Sequence, residues 1–343
     1  MMHGRGRRAF RTCSLIALDG ICAVLLGGCG SSSGSSIVLY NGQHAELTSL
    51  LVAAFEKKTG VKVQIRTNDS AVLADQIIQE SDGSPADVYI SENSPELMEL
   101  QRRGLLARLP QSILGEVGAG DKSPTGDWVG MASRVSSLVY DPALLPRSQL
   151  PASILDFAQP QWKGKIAIAP TDSDFPPLVG AVIATHGEAA ARDWLAGLKH
   201  NARVYQDEEA VAAAVNRGDV RSGVINQYYW YRLQLEVGKK AMNSALYYFS
   251  PDDVGAVVNI SGAALLKSSK QSKNAERFIG FLVSKRGQKI IAASDDFEYP
   301  IRSDVAPNGA LPQLARIGHT SLSVTSLGNG ELAARLIRQA GLV

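Results

Sequence analysis

The chain has 343 residues, 45% of them hydrophobic and 20% charged, with 35 Lys and Arg against 33 Asp and Glu. That balance excludes a disordered or low-complexity protein and leaves room for about two domains of ordinary size. A formal net charge of +2 is no basis for a nucleic-acid role, and three cysteines are too few for a disulfide scaffold or a Cys-rich metal site.

The first residues do not read as part of a globule. "MMHGRGRRAFRTC" supplies Arg5, Arg7, Arg8 and Arg11, and "SLIALDGICAVLL" follows as an apolar stretch interrupted by Asp19. This is the plan of an export signal, too short for a transmembrane helix of about 20 residues. "RRAF" partly matches a twin-arginine signal. The stretch ends in Leu26-Gly27-Gly28-Cys29, which resembles the lipobox of bacterial lipoproteins. Residues 1–28 are therefore expected to be a signal peptide, and 29–35 the lipidated Cys29 with a flexible tether. Cleavage there removes Cys13 and Cys22, and with four arginines and one aspartate gone the remainder is close to neutral. The expected location is outside the cytoplasm, anchored to the outer face of the cytoplasmic membrane or periplasmic, with the lipid as the only membrane contact. Gly30-Ser31-Ser32-Ser33-Gly34 matches the G-x-S-x-G of serine hydrolases, but a linker is the wrong context for a nucleophile that needs a strand-to-helix turn.

Beyond the tether, strands and helices alternate. "SIVLY" reads as a strand and "AELTSLLVAAFEKKTG" as an amphipathic helix stopped by Gly60. "VKVQIRT" is a strand, "AVLADQIIQE" a helix and "ADVYIS" a strand, after which Ser94 is expected to cap a helix with Pro95 in its first turn. The β-α-β-α-β order predicts a parallel-type sheet with helices on its faces. The alternation restarts with "GKIAIAP", a helical pair from "PPLVGAVIATHG" through "EAAARDWLAGLK", the helix "EEAVAAAVNRG" and the strand "SGVINQ". "NAERFIGFLVSKRGQKIIAA" is expected to be helical.

In open α/β sheets ligands bind beyond the carboxyl ends of the strands. Three polar stretches lie there: "NGQHAE", "SENS" and "NQYYW". They offer His44, Glu92, Tyr228 and Tyr229. Neighbouring tyrosines in a strand point to opposite faces, whereas at a strand end both can converge on one cavity. An imidazole, a carboxylate and two phenolates form a hard donor set. Tyrosine ionises near pH 10, so two phenolates at neutral pH call for a strongly charged cation such as Fe(III). Duller roles stand beside this one. The tyrosines could be packing aromatics, His44 could cap its helix, and Glu92 could be a surface acid.

At these residues the chain resembles the ferric-ion-binding proteins that serve ABC-type iron importers. "IVLYNGQHAE", "DVYISEN" and "INQYYWYRL" are similar to that family's histidine, acidic-ligand and twin-tyrosine segments, and "FEYPIRSDV" to a later one. The resemblance covers nearly the whole mature chain. It implies an α/β, two-lobed fold of the type II periplasmic-binding-protein kind, with hinge strands between the lobes. It implies His44, Glu92, Tyr228 and Tyr229 as metal ligands for Fe(III), with a small synergistic anion in some members. It also implies an ABC permease and its ATPase as partners, a monomer, and no enzymatic activity. Lobe one is expected over 36–136 and 260–309, lobe two over 137–259 and 310–343. Asn93, Ser173 and Asn226 are the candidate anion-binding or supporting residues. One departure stands out: "APTDSDFPP" and "YQDEEAV" place Asp172, Asp174, Asp207, Glu208 and Glu209 where an anion would bind, and carboxylates repel anions. They could instead cap the following helices. The alternatives are a protein of the same fold for an organic anion, a thiamine-like cation or a polyamine, and a hydrolase using His44 and Glu92.

Overall fold

The computed structural model describes residues 36–317 and 322–343; the export signal, Cys29 and the tether lie outside the described residues. In chain order the elements are β1 (Ser36–Asn41), α1 (Ala45–Thr59), β2 (Lys62–Thr67), α2 (Ser70–Glu80), β3 (Val88–Ser91), α3 (Ser94–Arg102), β4 (Leu106–Ala107), α4 (Gln111–Leu114) and β5 (Trp128–Tyr140). Then come β6 (Ile166–Ile168), α5 (Phe175–Asn201), β7 (Ala202–Val204), α6 (Glu208–Asn216), β8 (Ser222–Asn226), α7 (Gln227–Val237) and β9 (Ala245–Tyr247). The chain closes with β10 (Val258–Leu266), α8 (Ser272–Val283), α9 (Lys285–Ala293), β11 (Tyr299–Pro300), α10 (Leu314–Ile317) and α11 (Glu331–Gln339).

The strands follow the order β2-β1-β3-β10-β5-β8-β6-β7, with β4 beside β10 and both β9 and β11 beside β5. β1 pairs parallel with β2 and β3, and β6 pairs parallel with β7 and β8, as the two alternating units predict. The long strand β5, buried along its whole length, joins them. Its register with β10 runs from Ala264↔Trp128 to Val258↔Val135, and its register with β8 from Ser136↔Asn226 to Tyr140↔Ser222. One strand thus belongs to both halves of a two-lobed α/β fold, and Arg134 and Val135 sit at the crossing. Each lobe has its own apolar core. Phe55, Phe278 and Ile279 pack beneath β1 and β10 in the first, while Phe157, Trp194 and Leu195 pack beneath β6 in the second.

Two local readings needed correction. The N-cap of α3 is Asn93, and Ser94 is already helical; its hydroxyl donates instead to Asn259 Oδ1 at 3.2 Å. The long helical stretch after "NAERF" breaks at Ser284, whose side chain caps α9 by accepting the Gly287 N–H. The helical pair expected after "PPLVG" is there: α5 is two helices meeting at Gly187, which is non-helical with φ of +88°, a conformation that suits a residue without a Cβ.

Candidate metal centre

Two turns in the first lobe are locked together by their own side chains. Asn41 Nδ2 donates to the Gln43 carbonyl at 2.6 Å, and the His44 N–H donates to Gln43 Oε1 at 2.7 Å. Gly42 packs so closely on α2 that a Cβ there would lie 2.2 Å from Ser70 Oγ. The same Ser70 hydroxyl accepts the Glu92 N–H at 3.0 Å. His44 stands at the N-cap position of α1, but its side chain makes no capping hydrogen bond and turns towards Glu92. The helix-cap role considered for it is therefore not the one it plays.

Tyr228 and Tyr229 occupy the first turn of α7, directly after β8 ends at Asn226. Their rings lie 4.1 Å apart between centroids at 31°, so the strand-to-helix turn does bring both to one place. The Tyr228 hydroxyl donates to Asp174 Oδ2 at 2.8 Å and to Glu92 Oε1 at 3.2 Å. Glu92 Oε1 also lies 3.2 Å from His44 Nε2, and the His44 ring meets Tyr228 edge-on at 5.1 Å. The Tyr229 hydroxyl reaches Asp172 Oδ2 at 3.5 Å. His44, Glu92, Tyr228 and Tyr229 are thus assembled from both lobes. A cavity of about 550 Å³ opens beside them, lined by His44, Glu92, Asp172, Ser173 and Tyr229 among others.

The supporting residues also converge, in different ways. Ser173 Oγ donates to Glu92 Oε2 at 3.2 Å, and Asn93 Nδ2 donates to the Ser173 carbonyl at 3.1 Å. Asn226 gives its backbone N–H to Glu208 Oε2 at 2.5 Å. Asp207 caps α6 by accepting from the Ala210 N–H at 2.7 Å, and Asp172 accepts from the Glu208 N–H at 2.9 Å. The capping role weighed for these acids holds for Asp207, whereas Asp172 caps α6 and faces Tyr229 as well. Among the described residues no group of three or more His, Cys, Asp or Glu is arranged to hold a metal ion.

A match to the family described as bacterial extracellular solute-binding protein runs over residues 41–289. The chain belongs to that family. This solute-binding protein is 38% identical over 317 residues to the Fe(3+)-binding periplasmic protein of Serratia marcescens, covering 92% of this chain and 94% of that one. It is 37% identical over 311 residues to the major ferric iron-binding protein of Neisseria meningitidis serogroup B, covering 90% and 93%. The crystal structure of iron-bound HitA from Pseudomonas aeruginosa matches with a TM-score of 0.85 and 40% identity, over 90% of this chain and 99% of that chain.

Sequence reasoning missed three charged residues that organise the cleft of this solute-binding protein. Arg134, fully buried on β5, donates to Glu298 Oε1 at 2.7 Å, Asp174 Oδ1 at 3.1 Å and Asn93 Oδ1 at 3.2 Å. Glu298 and Asp296 come from the turn before β11, and Asp296 Oδ1 lies 3.1 Å from His44 Nδ1. Arg134 left a signal, since it is the lone charge in "WVGMASRVSSLVY", a strand buried throughout. A charge there must be paired.

Burial and charge set the protonation of the cleft. Burial opposes the His44 imidazolium, but Asp296 and Glu92 outweigh it and raise the group from 6.5 to about 10. Burial likewise opposes the Glu92 carboxylate, yet Arg134 and His44 bring it down to about 2. Asp172 has no such cation; burial and then the charge of Asp174 push it up to about 7. Burial, followed by the charge of Asp174, raises both Tyr228 and Tyr229 well above 10. Both phenols therefore keep their protons at neutral pH.

Proposed function

We propose that this solute-binding protein captures ferric iron between its lobes and delivers it to an ABC-type permease driven by an ATPase. The observation that carries this reading is the contact of the Tyr228 hydroxyl, on one lobe, with Glu92 and through it His44, on the other, beside a cavity that Tyr229 also lines. Two phenolates, one carboxylate and one imidazole suit a hard trivalent cation and offer nothing to soft metals. The names of the Serratia and Neisseria relatives, and of the iron-bound Pseudomonas structure, support the same cargo.

In this reading Tyr228 and Tyr229 give up their protons and bind as anions, Glu92 supplies a charged oxygen, and His44 a neutral nitrogen through Nε2. Asn93, Ser173 and Asn226 hold the turns around them. Asp172 and Asp174 lie against the two phenols, and their charge repels a small anion, so a carboxylate of the chain completes the site in place of a synergistic anion. Because the ligands come from both lobes, the cargo acts as a clasp, and the closed shape is what the permease reads. We assign residues 36–136 with 260–309 to one lobe and 137–259 with 310–343 to the other. The protein works outside the cytoplasm, held there by a lipid on Cys29.

The test is a titration of the purified protein with a ferric chelate, without added phosphate or carbonate. A visible phenolate-to-iron charge-transfer band at one iron per chain is the expected result. A protein that stays colourless refutes the ferric reading and leaves an organic solute as the cargo.

A further inference from the structure

Of the two described non-glycine residues with positive φ, Ser81 (φ 48°) ends α2, while Phe297 (φ 53°) packs in the apolar cluster that holds Tyr228 and Tyr229. A bulky residue in the left-handed region is strained, and such strain persists only where the surroundings enforce it. Here they do so on both sides. The Phe297 carbonyl accepts from Gln227 Nε2 at 2.9 Å, and its ring stacks on Tyr231 at 5.5 Å, so it is fixed to the tyrosine helix α7. Gln227 is itself fully buried and its Oε1 accepts the Val135 N–H of the crossing strand at 2.7 Å. Gln227 immediately precedes Tyr228.

The residues flanking Phe297 point the other way, to His44. Glu298 Oε2 accepts from Gln43 Nε2 at 3.2 Å, and Gln43 holds the His44 backbone. Asp296, almost fully buried, approaches the His44 ring, with Oδ1 3.1 Å from Nδ1. That approach is off-line, and buried Nδ1 has no well-aligned hydrogen-bond acceptor among the described residues. Asp296 is the carboxylate positioned to take its proton bond.

We propose that the 295–298 turn is the positioning element of the cleft: Asp296 orients the His44 ring so that Nε2 faces the cargo, and left-handed Phe297 ties that orientation to α7. This rests on the ferric reading for the identity of the cargo, but not for the contact itself. A ligating histidine is commonly held by a carboxylate on its second nitrogen, and losing that partner costs about 10–100-fold in metal affinity. Geometry places Asp296 in that role, since its Oδ1 lies 3.1 Å from His44 Nδ1.

Two measurements separate the proposal from a merely structural role. The first is nitrogen-15 NMR of the His44 ring in the protein without iron, for wild type, Asp296→Ala, Asp296→Asn and Phe297→Gly. The ring signals are expected to move in Asp296→Ala and Phe297→Gly and to stay nearer wild type in Asp296→Asn, which keeps an acceptor oxygen. Unmoved signals in all three overturn the proposal. The second is ferric release from Asp296→Ala, His44→Ala and the double variant. Release from Asp296→Ala should be about 10–100-fold faster with the tyrosine band retained, and the double variant no faster than His44→Ala. Losses that multiply in the double variant overturn it. A wild-type protein that takes up no iron defeats the ferric reading alone, and the NMR series still decides the positioning.

Discussion

Glu92 Oε1 accepts a hydrogen bond from the Tyr228 hydroxyl at 3.2 Å, although the two residues stand 136 positions apart in the chain and on opposite lobes. That one contact joins the strand-end turn of β3 to the first turn of α7. A cation placed there draws on both lobes at once, so each ligand's removal has a distinct expected cost.

Tyr228→Phe and Tyr229→Phe each remove one anionic oxygen while keeping a ring that stacks on its neighbour at 4.1 Å. Both should lose most ferric affinity, by at least about 100-fold, because an uncompensated positive charge in a cleft of lowered dielectric is costly. Folding stability should fall by only about 1 kcal/mol, the worth of a lost hydrogen bond. Glu92→Gln should weaken binding less than either, and His44→Ala least, since water can replace a neutral ligand. Titration of the four variants against the visible band checks the order. Two tyrosine variants with wild-type colour and affinity would make the pair ordinary packing aromatics.

How much of this was legible in the sequence depended on distance along the chain. His44, Glu92 and the tyrosine pair sit in short polar stretches that directly follow apolar strands, so their positions could be read locally. The alternation of strands and helices gave both parallel units for the same reason. Asp296 and Glu298 could not be found that way. "SDDFEYP" looks like an ordinary acidic turn, and only the fold brings it to Gln43, 255 residues earlier. Ser94 illustrates the opposite failure. A serine before Pro95 reads as a cap, but a partner 165 positions away, Asn259, takes its hydroxyl.

Asp172→Asn should act with opposite signs on the iron-free and iron-loaded protein. The folded chain keeps Asp172 protonated up to about pH 7, whereas an unfolded chain ionises it near 3.8. Below 3.8 both states are neutral and the group has no effect. Between 3.8 and 7 the unfolded state gains from ionising, and above 7 the folded state carries the whole penalty. The variant should therefore be more stable than wild type at pH 8, by up to about 4 kcal/mol for a shift of roughly three pKa units, and equal to it at pH 3. If Asp172 completes the metal site, the same variant releases iron faster. Thermal melts at the two pH values with a release assay check both arms. A variant stabilised equally at both pH values would mean that titration of Asp172 is not the cause.

Cys29→Ser tests the anchor proposed from Leu26-Gly27-Gly28-Cys29. With the thiol removed no acyl chain can be attached, and the variant is made behind a cleavable non-lipoprotein signal so that the apolar leader is still removed. Among the described residues no helix is long and apolar enough to cross a membrane. The variant should move from the membrane fraction to the soluble or secreted one in cell fractionation. Unchanged membrane association would exclude the lipid as the tether.

Loading with iron should release about three protons per ion at pH 7 from His44, Tyr228 and Tyr229, and part of a fourth where Asp172, raised to about 7, joins them. His44, raised to about 10, still holds its second proton there and must give up the one on Nε2 to bind. Tyr228 and Tyr229, both raised well above 10, each give up one more. Glu92, lowered to about 2, is already ionised and contributes none. Apparent affinity should then fall by roughly three decades for each unit of acidification near neutrality, since every proton displaced enters the equilibrium. This gives acid-driven release a steep onset well above the pH at which Glu92 itself protonates. A pH-stat titration with a ferric chelate, corrected for the chelate's own protonation, measures the count. Release near one proton would mean that the phenols stay protonated, and an iron site built on Tyr228 and Tyr229 would then be ruled out.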